Sequence, residues 1–166
     1  CIPTNKAMSN AARRVLKYLS GTMDDGLVYS PEKERLFYSS LIDIGNHADN
    51  LGVDLKPLSN PVTVWGDASF ASVFRTLKSV SGCVIYLYGC PVCWSSKPQT
   101  LLTTSTMTSE WVASAAAIEL SAAPTAVVDF LRGGPTNAAP SELAPILCDN
   151  RSAVVSARKG LEGIEQ

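Results

Sequence analysis

Histidine is almost missing from this chain: His47 is the only one, and it sits in a polar stretch unrelated to the paired cysteines. A four-ligand zinc site needs partners that the sequence does not offer, although Cys90-Pro-Val-Cys93 has the spacing of a metal knuckle. Excess charge of either sign is lacking too. Fourteen basic residues face fifteen acidic ones for a net charge of -1, so the broad basic footprint of a stand-alone nucleic-acid binder is absent. No apolar run approaches the length that spans a bilayer, and the N-terminus lacks the charged and apolar regions of a signal peptide. Cysteines are few and odd in number, five in all. Cys83, Cys90, Cys93 and Cys148 lie in or beside apolar segments, where a reduced thiol behaves as a small hydrophobe, so a cytosolic, disulfide-free chain is expected.

What is present suits one α/β domain of ordinary size. Apolar residues make up 46% of the 166, enough to bury a core. The chain begins at Cys1 rather than Met and reads as a piece of a longer precursor. Its central stretch, from Val62 to Lys97, predicts three consecutive antiparallel strands, near 62–67, 82–89 and 92–97. Val62 and Val64 alternate with Thr63 and Trp65 before the chain reaches Asp67. An acid closing a largely buried strand is costly unless a cation or donors stand beside it.

Before this stretch, Thr4 and Asn5 are placed to cap a helix with Met8, Ala12, Val15, Leu16 and Leu19 at helical spacing, ending at Gly21. Arg13, Arg14 and Lys17 fall on its other side and read as a solvated face rather than a phosphate-contacting one. Residues 26–30 and 35–39 flank Pro31-Glu-Lys-Glu34 and predict a hairpin, and 40–60 reads as a loop or insertion. After the strands, Thr108 or Ser109 is expected to cap a helix carrying Glu110, with Glu119 on its surface and Pro124 interrupting or kinking it. A fourth strand is expected over 143–148, followed by a helix from Asn150 to Lys159. Taken alone, Glu110 reads as an acid compensating a helix dipole and Asp149 as an N-cap. Taken with Asp67, which also closes an apolar strand, the three acids read as one site. If the first and fourth strands are adjacent and parallel, Asp67 and Asp149 project at the same sheet edge. Three clustered carboxylates would repel one another without metal, and hard oxygen ligands suit two Mg²⁺ or Mn²⁺ ions.

The ordered segments Asp67-Ala-Ser-Phe-Ala71, Lys78-Ser-Val-Ser-Gly82, Trp94-Ser-Ser-Lys97, Ser105-Thr106, Glu110-Trp-Val-Ala113 and Cys148-Asp-Asn-Arg-Ser-Ala153 resemble the ribonuclease H domain of copia-type LTR retrotransposon polyproteins. The match spans about two thirds of the chain, and residues 5–29 resemble the connecting segment that precedes that domain. The resemblance implies a connecting segment over 1–60 and a C-terminally truncated ribonuclease H-like domain over 61–166. It also implies a mixed sheet of order 3-2-1-4 lacking a fifth strand, with flanking helices. Asp67 would bridge two metal ions, Glu110 would hold one and Asp149 the other. The implied activity is cleavage of the RNA strand of RNA–DNA hybrids during reverse transcription, alongside the reverse transcriptase domain of the same polyprotein. The implied setting is intracellular, in a cytoplasmic particle or the nucleus, with no membrane partner. Ser69, Ser105 and Asn150 are candidate contacts to the substrate's 2′-hydroxyls. The sequence departs from the family pattern at Ser69-Phe70, where Asp-Trp is usual, and at Thr108, where a second acid is common. The family's fourth acid would follow Gln166. The alternative is a catalytically silent or repurposed ribonuclease H-like scaffold or nucleic-acid-binding module.

Overall fold

The computed structural model describes residues 5–49, 61–73, 75–134 and 144–162. Its elements are α1 (Lys6–Gly21), α2 (Pro31–Asp49), β1 (Val62–Ser69), β2 (Val80–Leu87), β3 (Cys90–Pro98), α3 (Thr106–Leu131), β4 (Ile146–Leu147) and α4 (Arg151–Glu162). The strands form one mixed sheet of order β3-β2-β1-β4. β1 pairs antiparallel with β2, from Val62 opposite Leu87 to Ser69 opposite Val80, and parallel with β4 through Val64–Ile146 and Trp65–Leu147. The meander, its order and the parallel outer pair match the expectation from sequence. β4 is shorter than expected, two residues among those described, and residue 143 lies outside them.

The β2–β3 connection is a two-residue turn with Tyr88 and Gly89 both at positive φ, 47° and 73°. Two such residues match the right-handed twist of a tight hairpin. Gly89 is also where α2 crosses: a Cβ there would lie 2.8 Å from Phe37 Cβ and 3.0 Å from Glu34 Cα. Phe37 stacks on Tyr86 at 4.9 Å, so α2 is fastened to the hairpin end of the sheet.

That helix overturns the expected hairpin over 26–39 and the first half of the expected loop; residues 50–60 of the loop lie outside the described residues. The local reason is at Ser30-Pro31. Ser30 Oγ accepts from the Lys33 amide at 3.2 Å, Pro31 takes the first helical position, and Glu32 and Glu34 occupy the positive first turn. Pro31-Glu-Lys-Glu34 is a helix start, and the apolar run Leu36-Phe37-Tyr38 continues it. α1 forms as expected, with Asn5 Oδ1 accepting from the Met8 amide at 2.9 Å, and none of its residues is buried.

The core lies between the sheet and α3: Val62, Val64, Cys83 and Ile85 pack with Ala117 and Val128. Two expectations about α3 are corrected. Its cap is Ser105, which accepts from the Thr108 amide at 3.1 Å, rather than Thr108 or Ser109. It also runs without a break through Pro124 for 26 residues. Ser109, Ala113, Ala117, Ser121 and Thr125, spaced by four, form one buried ridge of small side chains. Ser121 and Thr125 hydroxyls satisfy themselves on the Ile118 and Ser121 carbonyls at 2.7 and 2.8 Å. The ridge therefore keeps its packing across the proline. By length and composition α3 is long and apolar enough to cross a membrane, contrary to the reading that no run is, yet its ridge is packed on β1 and β2.

Candidate active site

Small residues determine how close α3 comes to β1. A Cβ on Gly66 would meet Ala117 Cβ at 3.6 Å and the Ser114 Cα at 3.8 Å, so helix and strand touch at van der Waals range one residue before Asp67. Seven residues up the helix from Ala117 stands Glu110, only 5% exposed. It lies outside the first turn of α3, which contains no acid, so dipole compensation does not account for it. Asp67 is exposed and lies near the end of β1, two residues short of its last position, as expected. In the parallel pair Trp65 is level with Leu147, so Asp67 and Asp149 each follow two positions on, at the same end of neighbouring strands.

Burial is the largest influence on Glu110 and pushes its carboxyl above the ordinary value; the charges of Asp67 and then Asp149 push the same way. A hydrogen bond from the Ala68 amide and one from Cys148 pull it back. The charged groups acting on Glu110 are thus both acidic. Ligand atoms of Glu110, Cys148 and Asp149 lie within 4.8 Å of one another, and the Cys148 thiol donates to Glu110 Oε2 at 3.8 Å. Asp67 falls outside that tightest group while remaining the strongest charge on Glu110. Burial also raises the Cys148 thiol, which Glu110 and Asp149 raise further.

Asp149 is relieved of the capping role that its position suggested. Asn150 caps α4, its Oδ1 accepting from the Ala153 amide at 3.0 Å. Ser105 likewise caps α3 and also bonds Thr108 Oγ1 at 2.8 Å. These two candidate substrate contacts hold helix starts beside the acids. Ser69 is exposed at the end of β1, two residues beyond Asp67. Glu119 is exposed, as expected of a surface acid.

Two participants escaped the sequence reading. Cys148 was legible only as a small hydrophobe, although its place immediately before Asp149 put it at the same strand end. Gln99, 4% exposed, donates through Nε2 to Ser81 Oγ and to the Ser109 carbonyl, both at 2.9 Å. Its neighbour Ser79 bonds Thr103 Oγ1 at 2.9 Å and accepts from the Ala71 amide at 3.1 Å. This buried polar set ties the start of β2 to the entry of α3, and so fixes Glu110 against β1. Nothing in the sequence around Gln99 announced it. Of the two cysteines with metal-knuckle spacing, which the sequence reads as reduced small hydrophobes, Cys90 is buried and Cys93 packs against the core.

What such a site can do follows from its charge. A buried carboxyl with other acids beside it is stabilised by whatever neutralises it, a proton or a cation. Comparison with protein-family models, with curated proteins and with solved structures yields no match.

Proposed function

We propose that this chain is a metal-dependent endonuclease domain of ribonuclease H type, cutting the RNA strand of RNA–DNA hybrids within a copia-type retrotransposon polyprotein, beside its reverse transcriptase. One observation supports the reading: buried Glu110 stands beside Asp67 and Asp149 at one end of a 3-2-1-4 mixed sheet, and the two charges that act on it are both acidic. The donor set fits Mg²⁺ or Mn²⁺, because three carboxylates offer hard oxygen ligands and gain from neutralisation. Asp67, Glu110 and Asp149 would hold the ions. The chemistry supplied by two ions held there is an activated water and a stabilised leaving oxygen in phosphodiester cleavage.

The chain's own residues prepare that chemistry. The Ala68 amide and the Cys148 thiol orient Glu110, and the small ridge of α3 keeps its carboxyl against the strand. Asn150 and Ser105 stiffen the two helix starts that border the site. The rim around Asp67 and Ser69 is exposed, which leaves the acids open to a large substrate.

The test is strand cleavage of a labelled RNA–DNA hybrid in Mg²⁺ and in Mn²⁺, with Asp67→Asn alongside and circular dichroism on both proteins. Cleavage confined to the RNA strand and lost in Asp67→Asn, by at least about 10²-fold as for removal of one charge-stabilising group, is the expected result. A folded wild-type chain that leaves hybrids intact in both metals would overturn the enzyme and leave a silent ribonuclease H-like module.

A further inference from the structure

We infer that the outward face of α4 is a phosphate track that carries a nucleic-acid duplex across the acidic site, an inference that rests on the hybrid-cutting reading and deepens it. An open groove of about 490 Å³ is lined, among the described residues, by Arg151, Ser152, Val155, Ser156 and Lys159. All five belong to one stripe of α4. Ala153, 5% exposed, lies on the opposite side of the helix, and α4 packs against α3. The stripe therefore faces away from the protein and holds two cations, two hydroxyls and one aliphatic side chain. Among the described residues, no acid lines the groove.

The composition selects the ligand. Two cations with interleaved hydroxyls suit a row of singly charged phosphodiesters, to which Lys, Arg and Ser side chains donate. Spacing agrees. Arg151 and Lys159 are eight residues apart, about 12 Å along the helix axis, or about three to four base-pair steps of roughly 3.4 Å where α4 runs along the duplex axis. Place agrees as well, since Arg151 opens α4 two residues after Asp149. A backbone lying on the stripe would be led toward the carboxylates. A site made of acids repels a polyanion, and local cations that offset this repulsion answer how a chain of net charge -1 would hold nucleic acid.

The experiment measures hybrid binding by anisotropy, without divalent metal, as a function of salt. It compares the wild-type chain, the double variant Arg151→Ala/Lys159→Ala, and a charge-matched control on α1, Arg13→Ala/Lys17→Ala. Loss of two phosphate contacts lowers the slope of log K against log salt by about 2, so between 50 and 200 mM salt wild type loses about tenfold more affinity than the double variant. The control keeps the wild-type slope. A double variant with wild-type affinity and slope overturns the track, and so does a control that falls equally, because the effect is then bulk charge. An arm with inorganic phosphate separates a row of phosphodiesters from a single-anion site: hybrid binding unmoved by millimolar phosphate supports the track, and its displacement there overturns it. If wild type binds hybrid through α4 but never cuts it, the track stands and the nuclease reading falls.

Discussion

Glu110→Gln separates a charge held for a cation from a residue that merely packs. Glutamine keeps the shape and one oxygen to accept from the Ala68 amide, while an NH₂ donor takes the place of the second oxygen, so the variant removes the charge and with it one acceptor. With ligand atoms of Glu110 and Asp149 within 4.8 Å, their repulsion is about 1 kcal/mol at the dielectric of water and about 3.5 kcal/mol at the effective value near a protein surface. Asp149 is exposed, which favours the lower figure. In metal-free buffer at pH 7 the variant is therefore expected to be the more stable protein by about 1 to 2 kcal/mol, or roughly 2 to 8 °C in Tm for a chain of this size. The pH dependence has a definite sign. The folded-state carboxyl is raised above its ordinary 4.5, so the folded state holds the proton more tightly than the unfolded chain does. Wild-type stability is then complete below about 4.5 and is lost as pH rises through the raised value, so the advantage of the variant should vanish in acid. Saturating Mn²⁺ should reverse the order at pH 7, because binding to the folded state stabilises wild type and much less the variant. Thermal melts in chelator at pH 4 and 7, and in Mn²⁺ at pH 7, read all of this. A variant that melts below wild type by the same margin in every buffer would refute the argument and make Glu110 a packing residue.

Gly89→Ala places a Cβ in a left-handed turn residue and against Phe37, so a loss of about 2 kcal/mol or more is expected in urea unfolding, whereas Gly26→Ala, with nothing within 4 Å, should be near neutral. Gln99→Ala removes the donor shared by Ser81 and the Ser109 carbonyl and should cost about 1 to 3 kcal/mol by the same measurement, with hybrid cleavage falling further than stability because α3 loses its anchor. Ser105→Ala should cost about 1 kcal/mol through loss of the α3 cap, with Ser105→Asp restoring most of it in thermal melts.

Sequence by itself determined the elements whose information is local. The alternation from Val62 to Trp65, the β-branched and aromatic run before Gly89 and the pattern after it gave the meander, since a tight turn and a two-residue period need no distant partner. The same locality made α2 readable in principle. Ser30-Pro31 with acids in the next turn is a helix start, and the aromatic run Phe37-Tyr38 obscured it by its resemblance to strand composition. Pro124 misled for the opposite reason: its local effect is to break a helix, and a five-residue ridge of small side chains packed on the sheet outweighs it. Asp67, Glu110 and Asp149 were identifiable as candidates, but their meeting was decided by tertiary structure. Parallel pairing of β1 with β4 levels two of them across 82 residues, and contact at Gly66 brings the third. Cys148 entered the site, and Asn150 and Ser105 became caps, only through that packing, because the partner that gives each side chain its role is fixed by where the chain folds back.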